Sequence, residues 1–171
     1  MMFIIILLIL LIIAGSLGIV YIINYNKMQY INSKINQSTE IIEESLNSRY
    51  ELIVNASNII NEKLEDNKDY FKEYINLKNK KLSNIDKDKK INEAIDLIKN
   101  LYEDNKYITK NKDVKKIIKD LKEIDEKLTA AKSFFNKNTK EMNELVNKFP
   151  SNVVAKINGY KVSQIFDTKI K

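Results

Sequence analysis

Residues 3–23 contain no charged side chain. They read Phe-Ile-Ile-Ile-Leu-Leu-Ile-Leu-Leu-Ile-Ile-Ala-Gly-Ser-Leu-Gly-Ile-Val-Tyr-Ile-Ile, and every Lys, Arg, Asp and Glu of the chain lies after them. At a rise of 1.5 Å per residue, roughly 21 residues make a helix about 30 Å long, which matches the hydrocarbon core of a bilayer. The chain therefore reads as a membrane anchor over residues 1–24, with the span from Phe3 to Ile23, followed by a polar body. A cleaved secretory signal is the competing reading. It fits less well: no Lys or Arg precedes the apolar run, the run is longer than such signals carry, and no small-x-small cleavage site follows it. Tyr21, Tyr25 and Tyr30 fall where an interfacial aromatic belt would lie. Ala14 and Gly18 share a helix face and would let two spans pack closely, so a homo-oligomer is one expected partner state. The only flanking cations, Lys27 and Lys34, follow the span. The positive-inside rule then places the short N-terminus outside and the body in the cytoplasm, in a single-pass cell-membrane topology.

The remaining part of the 171-residue chain has the length of one ordinary domain. With only 3 Gly and 1 Pro in the whole chain, it lacks the punctuation of β-hairpins, so an all-α body of long helices is expected. Apolar residues recur at helical steps. Met28, Ile31, Ile35, Ile42 and Leu46 form a first series, predicting a helix over about 25–47. Ser48-x-x-Glu51 after Asn47 has the form of a capping box and favours a turn there. The alternative is one continuous helix, which Ile53, Ile60 and Leu64 would nearly extend. A second helix is expected over 49–83, with Phe71 and Tyr74 leaving an apolar surface for a partner. A third is expected over 88–108, after the polar run Asn84–Asp88. A fourth is expected over 112–149, entered through Asn111 as N-cap and stopped by Pro150. Four amphipathic helices with short connections predict an antiparallel, up-and-down four-helix bundle over residues 25–150. The tail, 151–171, is expected to pack on the bundle or trail from it, with Val153-Val154-Ala155 and Ile165-Phe166 as its apolar contacts.

The chain has 0 Cys and 0 His. That excludes disulfides, thiol nucleophiles, Ser-His-Asp and Cys-His catalysis, and zinc sites built on Cys or His. No enzyme activity, cofactor or metal is expected, and no residue is nominated as catalytic. The net charge of +6 resides in the body. The lysines are interspersed with acids, as on solvated helix faces, and no nucleic-acid-binding signature appears, so nucleic acid is not an expected partner. Asn-x-Ser at Asn36 and Asn55 is read as chance in an Asn-rich chain.

Two stretches are specific. One is Arg49-Tyr50-Glu51-Leu52-Ile53-Val54-Asn55. The other is Phe149-Pro150-Ser151-Asn152-Val153-Val154-Ala155, followed by Gly159-Tyr160. Physically, the second is a helix stop. Phe149 is expected to cover the end of the bundle, and Ser151 and Asn152 to bond exposed backbone groups. Arg49 and Glu51 are expected either as a surface pair near a cap or as partners to other helices. Together with the anchor, these stretches resemble the LemA family, whose patterns are approximately R-R-Y-D-L-I-P-N-L and F-P-S-N-I-I-A…G-F. Ala130-Ala131-Lys132-x-x-Phe135-Asn136 is similar to that family's A-R-x-x-Y-N segment. Ser48 stands where the family has its first Arg, and Val54 where it has Pro. The resemblance implies a single N-terminal span, a cytoplasmic domain and a four-helix bundle of bromodomain-like type, with no established catalysis. The residues matched, Arg49, Tyr50, Glu51, Leu52, Ile53, Asn55, Phe149, Pro150, Ser151, Asn152 and Gly159, are expected to be structural. The functional expectation is a membrane-anchored scaffold or interaction module that touches the lipid bilayer and an unknown protein partner. The alternative is a surface-organising protein that acts by self-association and contact with anionic lipid.

Overall fold

A computed structural model describes residues 1–64 and 70–166. The described residues are helical or irregular, with no strand. Helix α1 (Met2–Leu64) is 63 residues long. It is long and apolar enough to cross a membrane, and its apolar window is nowhere buried against the rest of the chain. Polar groups within this segment are satisfied locally. The Ser16 hydroxyl donates to the Ile12 carbonyl at 2.8 Å, and the Asn24 amide donates to the Val20 carbonyl at 2.8 Å. Such bonding suits a medium without water.

The turn expected at Asn47 does not exist: α1 runs through it to Leu64. The physical reason lies in the buried stripe. Ser38, Ile42, Ser45, Leu46, Arg49, Ile53, Ala56, Ser57 and Ile60 are all buried, at helical steps across the supposed break. The Ser48 hydroxyl does not cap a helix start. It bonds back to the Glu44 carbonyl at 3.0 Å. Residues 49–83 accordingly do not form a second long helix. After the stretch 65–69, which lies outside the described residues, the chain makes only α2 (Lys72–Ile75) and a 3-10 turn (Asn76–Asn79). Helix α3 (Asn84–Asp104) begins four residues before its expected start because Ser83 is the N-cap, accepting from the Asp86 amide. A short α4 (Lys106–Thr109) follows. Helix α5 (Lys112–Asn147) starts as expected, with the Asn111 side chain accepting from the amides of Asp113 and Val114. Helix α6 is Ser151–Ile157. Among the described residues, three helices exceed twenty residues, where four were expected in the body.

The chain divides into two compact units. The first comprises residues 1–37 and 134–165. Its core is Met28, Ile31, Met142, Val154 and Ala155, with Tyr21, Tyr25, Ile35, Leu145, Val146 and Tyr160 packed around them. The rings of Tyr21 and Tyr25 stack 6.1 Å apart, turned to this cluster, while Tyr30 lies under the Lys34 ammonium at 4.1 Å. Lys27 pairs with Glu141 at 3.1 Å. Helix α6 ends in a Schellman arrangement. The Tyr160 amide donates to the Ala155 carbonyl, the Gly159 amide donates to the Lys156 carbonyl, and Gly159 has φ +75°. A Cβ at Gly159 would meet nothing within 4 Å, so only the backbone resists a side chain there. Gly159→Ala should therefore lower the stability of this end by about 1–2 kcal/mol. Faster hydrogen exchange at the Tyr160 amide, with α3 amides unaffected, is the expected readout.

The second unit comprises residues 38–133 together with the segment from Phe166. Its core is the α1 stripe from Ile42 to Ile60 with Ile91, Ala94, Ile95 and Ile98 of α3 and Val114, Ile117, Leu121, Leu128 and Ala131 of α5. Phe71 and Leu77 are fully buried there too, so the surface expected at Phe71 and Tyr74 is absent. The Tyr50 hydroxyl, donating to the Ile75 carbonyl at 2.6 Å, draws this connection onto α1. Phe166 is buried, with the Lys132 ammonium 5.7 Å from its ring centre.

Candidate functional site

The second unit contains a polar clasp in an otherwise apolar core. Arg49, on α1, is 3% exposed. Its Nη1 donates to Asp88 Oδ1 at 3.4 Å, and its Nη2 donates to Asn92 Oδ1 at 2.7 Å. Asp88 and Asn92 lie four residues apart, so one face of α3 presents both. Asp88 Oδ2 also accepts from Lys132 Nζ of α5 at 2.5 Å. Asp125, two turns before Lys132 on the same face of α5, stands 3.4 Å from Arg49 Nη2. Two cations and two carboxylates thus join three helices and balance in charge. Burial lowers the Arg49 pKa from its ordinary value, against the raising effects of Asp125, Asp88 and Asp96. One buried guanidinium atom, Nε, has no hydrogen-bond partner.

This clasp lies at the wall of an open groove of about 1530 Å³, between α3 and α5. Nine cationic side chains and three aspartates line it. Lys112, Lys115, Lys116, Lys119 and Lys122 recur at steps of three and four along α5, so they form one rim. Lys89 and Lys99 stand on the α3 side. Between them the floor is apolar, made by Ile95, Ile118 and Leu121, with Tyr102 at its end. The volume exceeds the roughly 300–1,000 Å³ typical of small-ligand pockets. A concave apolar floor with a cationic rim can take an elongated segment that carries carboxylates. Among the described residues no three carboxylates gather in a way that could hold a metal ion.

The residues singled out from sequence divide between the two units. Arg49 is not half of a surface pair with Glu51. It is buried in the clasp, whereas Glu51 is exposed. Ile53 is in the core, Leu52 is half-buried and Asn55 is exposed. In the first unit, α5 ends three residues before Pro150, as expected of a proline stop. The Ser151 hydroxyl is within bonding distance of the carbonyls of Leu145 and Lys148, both at 2.8 Å, and so satisfies the frayed end of α5. The Asn152 amide donates to the Lys148 carbonyl, but its side-chain Oδ1 is buried without a partner. Phe149 does not cover the end of the helices. It is 83% exposed. The residues missed from sequence are Asp88, Asn92 and Asp125. Asp88 was legible in principle, since 88, 91, 95 and 98 keep helical spacing with the α3 core.

Neither the curated proteins nor the solved structures contain a match to the chain. The family model described as the LemA family matches residues 38–171, which includes Arg49 and Lys132 of the clasp and the Phe149–Gly159 turn. The match covers well over half of the sequence, and the chain belongs to the LemA family.

Proposed function

We propose that the protein is a membrane-anchored interaction module. The apolar part of α1 crosses the cell membrane once, with the N-terminus outside and the body in the cytoplasm, and the basic groove of the second unit receives an acidic segment of a partner protein. The groove carries this reading. Seven of its lysines lie outside the clasp, and among the described residues Lys119 alone of the seven forms an ion pair, with Glu123 at 3.5 Å. Rim charges of this kind steer and orient a partner, while the apolar floor supplies contact area. The orientation rests on Lys27 and Lys34, which follow the span.

A photo-crosslinking amino acid in place of Ile118, in the full chain in cells, tests the reading. The expected result is a discrete protein adduct that disappears when Lys115→Glu and Lys119→Glu are added. Adducts to lipid alone, or a protein adduct indifferent to the two reversals, would overturn it. A second reading, in which the body itself touches lipid, is favoured by exposed apolar side chains in the first unit.

A further inference from the structure

Outside the span, the first unit exposes Tyr30, Phe134, Val162 and Ile165, and a further set of large apolar side chains on and just before α6. Phe149 is 83% exposed, Val153 50% and Ile157 65%. Val153 and Ile157 are four residues apart, so they share one face of α6. The opposite face, Val154 and Ala155, is buried against Met28, Ile31 and Met142. Nothing in the unit's own packing requires the outer face to be apolar.

Its position supplies the reason. The Asn158 amide, at the end of α6, donates to the Tyr21 hydroxyl at 3.2 Å. Tyr21 lies two residues before Ile23, about 3 Å along the helix axis from the end of the apolar run. Helix α6 is therefore held against α1 at the level where the span leaves the hydrocarbon. Lys148, Lys156 and Lys161 are exposed around it, a distribution in which ammonium groups meet headgroups while apolar side chains enter the acyl boundary.

We infer that Phe149, Val153 and Ile157 form a second membrane contact, inserted into the headgroup–acyl boundary of the bilayer that α1 enters. This inference rests on the anchor reading of α1. It gives the Phe-Pro-Ser-Asn turn two tasks: to end α5, and to present an aromatic side chain to lipid beside the span. The occupant is a bilayer rather than a protein helix because Asn158 ties α6 to Tyr21, next to the exposed Ile22 and Ile23 at the end of the span.

The chain has no Trp, so single substitutions are clean probes. Phe149→Trp and Val153→Trp are made in the full chain, reconstituted in phosphatidylcholine bilayers. Ile6→Trp, within the span, and Tyr107→Trp, in the second unit, are the references. Because Phe149 and Val153 are exposed, the fold should tolerate both changes, and unchanged circular dichroism checks this. The expected result is blue-shifted emission at 149 and 153, with quenching by lipid labelled near the headgroup and acrylamide quenching severalfold weaker than at 107. Acrylamide quenching equal to that at 107 would overturn the inference. So would protection from acrylamide without quenching by labelled lipid, which would indicate contact between protein copies. If Ile6→Trp also escapes lipid quenching, the anchor reading fails as well; quenching at 6 but not at 149 or 153 overturns the second contact alone.

Discussion

Replacing Asp88 by Ala is expected to destabilise the second unit by about 3–5 kcal/mol, the range for breaking a buried ion pair from one side. Asp88 is the acceptor shared by Arg49 and Lys132, and both cations are almost fully enclosed. Removing it leaves Arg49 with Asn92 and with Asp125, and leaves Lys132 without its ion-pair partner. Arg49→Leu should cost less, because Lys132 still neutralises Asp88. Asp125→Ala should cost least, about 1 kcal/mol or below, since the Asp125 side chain is 56% exposed and solvent already screens it. Hydrogen exchange of the α3 amides, in the full chain held in detergent micelles, gives the readout. The Asp88 variant should open at least about a hundredfold more often, at 1.36 kcal/mol per tenfold. If the Asp125 variant proved the most damaging of the three, the clasp would not hold the unit in the way described.

Asn47→Pro is expected to cost about 3 kcal/mol or more. In a continuous α1, proline at 47 removes the amide that bonds the carbonyl four residues earlier, and its ring collides with that carbonyl. At a turn between two helices the same substitution would be tolerated. Asn47→Ala is the control, because Asn47 also accepts an exposed hydrogen bond from Lys87 at 3.1 Å. That control should change stability by no more than about 1 kcal/mol. Equal stability of the two variants would restore the turn at Asn47 and contradict the single long helix.

These two substitutions fall where sequence and structure part. The long apolar helix at the N-terminus was legible because residues 3–23 carry no charge and no proline, and α1 is long and apolar enough there to cross a membrane. The end of α5 at Pro150 and the Asn111 cap were legible because each depends on one residue's own chemistry. The turn at Asn47 failed for a corresponding reason. Ser-x-x-Glu caps a helix only where amides are free, and whether they are free depends on the neighbours. Here Leu46, Arg49 and Ile53 are buried, with Arg49 tied to both α3 and α5, and this keeps the helix intact. Arg49 and Asp88 were misjudged because a charge is ordinarily taken to interrupt an apolar stripe. In this core they stand at stripe positions and satisfy each other. Phe71 was read with Tyr74 as an exposed apolar face of the expected second helix. It is buried because the connection after α1 folds back as α2 and the 3-10 turn, tied down by Tyr50. Phe149 looked like a plug because it is aromatic and precedes a helix stop. Its exposure makes sense only when α6 is seen beside Tyr21, a relation between residues more than a hundred positions apart.

The central claim, a body tethered by one crossing of α1, is tested most directly by thiol accessibility. The chain has no cysteine, so Met2→Cys and Tyr107→Cys each introduce a single thiol at an exposed position. A membrane-impermeant reagent applied to intact cells, with reagent access to the outer face of that membrane verified, should label position 2 and reach position 107 only after lysis. Labelling of both positions in intact cells, or protection of both, would place the two ends of α1 on one side and contradict the crossing.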